Sequence, residues 1–187
     1  MNIVFSSDKK EYNTIKKGTE ILLAENDGFN QNIELSVEFQ DRPEILINKR
    51  NNQIHIICRE ISHYYRALNY AIHHMEEDEF QYREHVCFER NGLMLDCSRN
   101  AVFTVEKVKF LIKTLAKLGM NVLMLYTEDT YEVEGQPYFG AYRGKYTKDE
   151  IKELDAYASM FGVELVPCIQ TLSLIHISEP TRLRRIS

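Results

Sequence analysis

The sequence predicts two units of different architecture: an α+β unit over residues 1–90 and a run of parallel β/α units over residues 91–172. Two observations carry this. Up to about Arg90, alternating and β-branched runs share the chain with amphipathic helix, the pattern of a sheet covered on one face. From Asn91 the order becomes strand, helix, strand, helix, strand, and the strands are near-continuous apolar runs, as expected for strands buried on both faces. The 187 residues are 44% hydrophobic and 27% charged, which excludes wholesale disorder.

In the first unit, residues Lys9 to Glu25 read as a helix ending near Asn26-Asp27-Gly28. Ile33 to Phe39 alternates strictly, a half-buried strand broken by Asp41-Arg42-Pro43. Glu44–Lys49 and Gln53–Cys58 flank Arg50-Asn51-Asn52 as a hairpin. The period then changes: Ile61, Tyr65, Leu68, Ile72 and Met75 fall on one face of a helix. Gln81 to Phe88 is the last strand. The expected arrangement is several antiparallel strands under a helix, with Tyr64, Tyr65 and Tyr70 as packing residues.

In the second unit, Gly92-Leu93-Met94-Leu95 is a short strand ending in Asp96. Thr104 caps a helix whose apolar face is Val108, Leu111, Ile112, Leu115 and Leu118, stopped at Gly119. Asn121 to Tyr126 is the second strand. Thr147-Lys148-Asp149-Glu150 is a capping box opening a helix with Ile151, Leu154, Ala158 and Phe161 inward and Gly162 at its end. Val163 to Ile169 is the third strand.

Charge and cysteine usage narrow the function. A net charge of -5 argues against nucleic acid as the partner. No run of ~18 apolar residues predicts a transmembrane helix, and the start, Met1-Asn2-Ile3-Val4-Phe5, lacks the basic lead of a signal peptide, so a cytoplasmic protein is expected. Cys58, Cys87, Cys97 and Cys168 are widely spaced and read as reduced thiols. His55-x-x-Cys58 with His85-x-Cys87 matches no standard zinc signature, and a buried apolar strand explains the first pair better. His73-His74 before Met75-Glu76-Glu77 reads as a helix end. No metal and no cofactor is expected, and oligomeric state is left open.

In a parallel α/β sheet the chemistry collects at the carboxyl ends of the strands. Those ends are Asp96-Cys97-Ser98-Arg99-Asn100, Tyr126-Thr127-Glu128-Asp129-Thr130 and Gln170-Thr171, all expected at one mouth. Thr127 to Tyr146 is long for a βα connection, and long loops at that face are usually functional. It carries Tyr131, Tyr138, Phe139, Tyr142 and Tyr146 among Gly135, Gly140 and Gly144. Aromatic faces beside acids and Arg suit a sugar ring and its hydroxyls; the alternative is that the aromatics close the loop on itself. Asp96 and Arg99 are likewise either substrate contacts or an ion pair at the rim.

The stretch Asn91-Gly92-Leu93-Met94-Leu95-Asp96-Cys97-Ser98-Arg99 resembles the first barrel strand of glycoside hydrolase family 20, the β-N-acetylhexosaminidases, with its R-G-x-x-L-D-x-x-R pattern; Asn91 stands where Arg is common. The resemblance continues through Leu125-Tyr126-Thr127-Glu128-Asp129-Thr130-Tyr131-Glu132 and Tyr138-Phe139-Gly140 to Pro167-Cys168-Ile169-Gln170-Thr171-Leu172, in a form similar to a divergent bacterial branch. It implies an α+β N-terminal domain (residues 1–90) followed by the first β/α units of an incomplete (β/α)8 TIM barrel (residues 91–172), since such a barrel takes about 250 residues. It also implies substrate-assisted, retaining hydrolysis of terminal N-acetylhexosamine from glycans, in which the sugar's 2-acetamido oxygen attacks its own anomeric carbon. By motif position Arg99 resembles the Arg that binds sugar hydroxyls, and Asp129, ahead of Glu128, the acid that supports the site; Asp96 lies beside them. The catalytic Asp-Glu pair belongs to the end of a fourth strand, so no catalytic residue is expected in these 187 residues. A carbohydrate-binding module without catalysis and another (β/α)8 glycosidase are the alternatives. Residues 173–187 resemble translated adapter sequence, a non-native tail. Three strands alone are expected to leave Leu123, Met124, Leu125, Leu165, Val166 and Ile169 without an opposite wall, which favours aggregation.

Overall fold

The computed structural model describes residues 2–5, 9–25, 33–99 and 101–170. Asn100, Thr171, Leu172 and the tail at 173–187 lie outside the described residues. The elements are β1 (Asn2–Phe5), α1 (Lys9–Ala24), β2 (Glu34–Phe39), β3 (Glu44–Arg50), β4 (Gln53–Cys58), α2 (Ile61–His73), β5 (Glu79–His85), β6 (Gly92–Asp96), α3 (Val105–Lys117), β7 (Val122–Thr127), α4 (Lys148–Met160) and β8 (Glu164–Ile169). Among the described residues no helix is long and apolar enough to cross a membrane.

The first sheet has the order β1-β2-β4-β3-β5. Its antiparallel part is as expected: β3 pairs β4 and β5 in antiparallel register. Arg50 faces Gln53 across a two-residue turn, with Asn51 at φ 50°, a conformation Asn tolerates and hairpins need. The remainder corrects the expectation of an antiparallel sheet, because β1, β2 and β4 run parallel. Alternation in Glu34–Phe39 sets which face is buried and is silent about the neighbour's direction. Leu35, Val37, Ile45, Ile47, Ile54, Ile56 and Cys58 turn inward. They meet Ile15 and Leu22 of α1 and Tyr64, Tyr65, Leu68 and Ala71 of α2, so two helices cover the sheet. Strand β5 spans Glu79–His85 rather than Gln81–Phe88; Phe88 is 70% exposed.

The second sheet is β6-β7-β8, parallel throughout, with α3 and α4 in the connections. Gly92 is required at the start of β6: a Cβ there would stand 2.0 Å from the Val122 carbonyl oxygen. Thr104 caps α3, its hydroxyl accepting from Lys107 N–H at 3.3 Å, a contact worth about 1 kcal/mol. Val108, Ile112 and Leu115 are buried, but Leu118, assigned to the same face, is 51% exposed because it is the C-cap residue. Gly119 follows at φ 74°, the left-handed stop. The capping box of α4 is complete: Thr147 Oγ1 accepts from Glu150 N–H, and the Glu150 carboxylate accepts from Thr147 N–H at 2.8 Å. Leu123 and Leu125, expected to lack cover, are buried, since they sit on the face that α3 and α4 occupy. Met94 on the opposite face and Ile169 on edge strand β8 stay about half exposed.

The apolar core runs from one unit into the other as one cluster. Tyr65 packs against Phe161, ring centroids 5.0 Å apart. Asn121 joins four segments at the amino ends of the strands. Its backbone N–H donates to the Asn91 carbonyl (2.8 Å), its carbonyl accepts from Glu164 N–H (2.8 Å), and its side-chain oxygen accepts from Asn91 N–H (2.9 Å). Its amide nitrogen donates to the Glu89 carbonyl (2.7 Å) and the Glu60 carboxylate (3.2 Å).

Candidate functional site

Strand register brings the three carboxyl ends together. Asp96, Tyr126 and Cys168 are level across β6, β7 and β8, so the residues after them share one edge. Asp96 shapes the exit of β6. Its Oδ1 accepts from Ser98 N–H at 2.8 Å and from Ser98 Oγ at 2.6 Å, a side-chain turn that redirects the chain. These two bonds, with the nearby charge of Arg99, hold its carboxyl below the usual carboxylate range. Asp96 and Arg99 are both exposed, while Ser98 between them is buried.

Glu128 and Asp129 leave the end of β7. Arg143, from the far side of the long loop, lies with its Nη1 3.2 Å from Asp129 Oδ1 and 3.7 Å from Glu128 Oε2. The same nitrogen donates to the Ser98 carbonyl, so one guanidinium ties the end of β6 to the end of β7. Sequence reading missed Arg143. The signal that points to it is a long glycine-flanked loop whose two ends must return to the same sheet edge.

Local bonds build that loop from its base. Tyr131 and Tyr146 form an isolated parallel bridge: Tyr146 N–H donates to Thr130 at 3.0 Å and Glu132 N–H to Tyr146 at 2.9 Å. Tyr146 is buried; its hydroxyl donates to the Phe103 carbonyl at 2.7 Å, near Cys97 Sγ, and burial pushes both the phenol and the Cys97 thiol up. Tyr131 meets Phe139 edge-on at 5.3 Å. Gly140, at φ 64°, passes so close to the segment after β7 that a Cβ would stand 2.1 Å from the Asp129 carbonyl oxygen. The loop-closing reading holds for three of the aromatics. Tyr131, Phe139 and Tyr146 close the loop, whereas Tyr138 and Tyr142 are almost fully exposed. At the end of β8, the Tyr126 hydroxyl donates to Gln170 Oε1.

The edge thus presents carboxylates from Asp96, Glu128 and Asp129 with guanidiniums from Arg99 and Arg143. Carboxylates accept from ligand hydroxyls and guanidiniums donate to ligand oxygens. Among the described residues no three His, Cys, Asp or Glu side chains are grouped as a metal site. His55 Nδ1 is 2.8 Å from Ser36 Oγ, and Cys58 is buried in the core.

Residues 88–173 match the model of glycosyl hydrolase family 20, catalytic domain. Over this segment the chain resembles glycosyl hydrolase family 20. The family-20 match begins just before β6 and runs past the end of β8, so the whole edge described above lies within it, in a TIM-barrel-type catalytic domain. The fold likeness extends over the first unit as well. A GH20 exo β-N-acetylglucosaminidase from Vibrio harveyi, solved with N-acetylglucosamine, superposes with a TM-score of 0.67 at 19% identity, over 89% of this chain and 32% of that one. The Streptomyces plicatus N-acetyl-β-hexosaminidase, solved with thio-NAglucal, gives 0.66 at 19% identity, over 89% and 41%. The β-N-acetylhexosaminidase of Bacteroides fragilis gives 0.64 at 20% identity, over 89% and 39%. The chain spans about a third to two fifths of the length of these structures. No curated protein matches it.

Proposed function

We propose that these residues are the N-terminal part of a β-N-acetylhexosaminidase that removes terminal N-acetylhexosamine from glycans by substrate-assisted, retaining hydrolysis. In this reading β6, β7 and β8 are the first three strands of a (β/α)8 barrel. Their sequential order, their parallel register and the helices in both connections support that assignment. The observation that carries the functional reading is the convergence of Arg99, Glu128, Asp129 and Arg143 on one strand edge inside the family-20 segment.

The chemistry then divides between two parts of the protein. The acetamido oxygen of the bound sugar donates its electron pair to C1. The C1–O bond to the leaving group breaks as the leaving oxygen takes a proton from a carboxylic acid; water, giving a proton back to the resulting carboxylate, then attacks C1 from the face the leaving group left and opens the cyclic intermediate. The proton donor and the carboxylate that orients the acetamide come from residues beyond β8. Arg99, Asp129 and Glu128 hold the hydroxyls of the terminal sugar. Carboxylates outnumber guanidiniums by one at this edge, which suits a neutral sugar whose hydroxyls donate.

The test is to express the intact gene product and the 187-residue chain side by side on 4-nitrophenyl N-acetyl-β-glucosaminide, following the product anomer by NMR. Turnover with retained configuration by the intact protein, and none by the shorter chain, is the expected result. Sugar binding without turnover by the intact protein would favour a carbohydrate-binding module, and turnover confined to other glycosides a different glycosidase.

A further inference from the structure

We propose that Arg143 is a positioning residue for the hydroxyl-binding edge, setting Asp129 and the backbone before Arg99 in one fixed geometry. The inference rests on the functional reading above and goes beyond it, because Arg143 lies on the long loop and not at a strand end.

Three observations place it. First, Arg143 is two-sided. Its Nη1 donates to the carbonyl of Ser98, the residue before Arg99, and stands 3.2 Å from Asp129 Oδ1. The last residue pair of β6 and β7 is Asp96 with Tyr126, and the last backbone bond between them runs from Cys97 N–H to the Tyr126 carbonyl at 2.9 Å, short of Ser98, Arg99 and Asp129. Arg143 spans that gap. Second, Asp129 Oδ1 is shielded from solvent and accepts no hydrogen bond of good geometry among the described residues, and the Arg143 guanidinium stands 3.2 Å from it as an ion-pair partner. Removing that cation leaves a shielded carboxylate oxygen uncompensated, which drives the side chain to rotate toward water. Third, the loop is braced to deliver the guanidinium. The Tyr131–Tyr146 bridge closes its base, Tyr146 is pinned to Phe103, and Gly140 lets the backbone lie against Asp129. Arg143 N–H then donates to the Gly140 carbonyl at 3.1 Å, fixing the last turn before the side chain departs. A site built on braced elements holds its geometry before ligand arrives.

The opposing possibility is that Arg143 merely fastens a loop. The two differ in coupling: a positioning residue acts through Asp129, so its loss matters little once Asp129 is neutralised, whereas a fastener acts independently. The experiment uses the intact gene product with Arg143→Ala, Arg143→Gln, Arg143→Lys, Asp129→Asn and the Arg143→Ala/Asp129→Asn double variant. It measures kcat and KM on the chromogenic N-acetylglucosaminide, Kd for N-acetylglucosamine by titration, and Tm. Arg143→Ala should lower kcat/KM by about tenfold or more, the scale of a misplaced binding group. Arg143→Lys should recover part of the loss. In the Asp129→Asn background the further loss should be under about threefold. Arg143→Gln keeps an N–H for Ser98 without the charge and serves if the Ala variant does not fold. Turnover near wild type in Arg143→Ala, or effects that multiply with Asp129→Asn, would overturn the inference while leaving the hydrolase reading intact. Sugar binding without turnover by the wild type, abolished by Arg143→Ala, would sink the hydrolase reading and keep the inference. Neither binding nor turnover by the wild type would remove both.

Discussion

Tyr65 in α2 donates its hydroxyl to the carbonyl of Met160, the last residue of α4, at 3.1 Å, with the Ile15 carbonyl 3.3 Å away. The two units of the chain therefore meet through a buried hydrogen bond as well as apolar packing. Gly18 of α1 makes room: a Cβ there would stand 2.0 Å from the Tyr65 hydroxyl. Glycine inside a helix costs about 1 kcal/mol, and here the cost is offset by the space it leaves for the phenol.

Removal of that hydroxyl should loosen the junction. Tyr65→Phe keeps the ring against Tyr64 and Phe161 but strands the Met160 carbonyl in a fully buried site. A loss of about 1–3 kcal/mol is expected for an unmet buried acceptor. Urea unfolding of the intact gene product, with hydrogen exchange at α2 and α4, measures it. An unchanged midpoint and unchanged exchange would mean that packing alone holds the units together.

His63 gives the same region a pH dependence. It is 4% exposed, its Nδ1 has no hydrogen-bond partner among the described residues, and burial lowers its pKa from the ordinary 6.5. Glu60 and Glu84 oppose that lowering, and Arg59 and Arg66 assist it. Because the folded pKa is depressed, the unfolded chain binds the proton more readily. The contribution to stability is complete above about pH 6.5 and is lost as pH falls from there through the folded value. His63→Gln should flatten the dependence of Tm on pH below about 6.5; a slope identical to wild type would exclude His63 as its source.

Thiol reactivity should follow burial. The Cys58 thiol is 1% exposed and burial pushes its pKa up to about 12, whereas Cys87 is exposed. Since the thiolate is the nucleophile, iodoacetamide at mildly alkaline pH should label Cys87 in the native protein and reach Cys58 only after unfolding. Peptide mass spectrometry reads the order, and early labelling of Cys58 would contradict the strand packing of β4.

The elements most legible in the sequence carry their own boundary chemistry. Thr104 and Gly119 delimit α3, and Thr147 with Glu150 opens α4, because a cap is a contact between near neighbours in the chain. The parallel pairing of β1, β2 and β4 was not legible, since it joins segments far apart in sequence and alternation is identical in parallel and antiparallel strands. The shared edge of Asp96, Arg99, Glu128 and Asp129 followed from strand order alone. Arg143 did not, because nothing local in Tyr142-Arg143-Gly144 says which way a loop side chain turns; that is set by Gly140 against Asp129 and by Tyr146 against Phe103. Likewise, Asp96 reads as a strand-end acid, yet its Oδ1 is spent on Ser98.

Asn121 carries a consequence for how the protein ages. Deamidation would turn its amide nitrogen into a carboxylate oxygen, replacing the donor to the Glu89 carbonyl and the Glu60 carboxylate with an acceptor facing two acceptors. The corner where the two units join would then repel itself at neutral pH. The route to that damage requires the next backbone nitrogen to attack the side-chain carbonyl carbon. That nitrogen belongs to Val122, a β-branched residue opening a strand, and it donates to the Asn91 carbonyl at 3.2 Å. The hydrogen bonds that make Asn121 a junction therefore also slow its chemical clock, and spontaneous deamidation there should await local unfolding of the strand entrance.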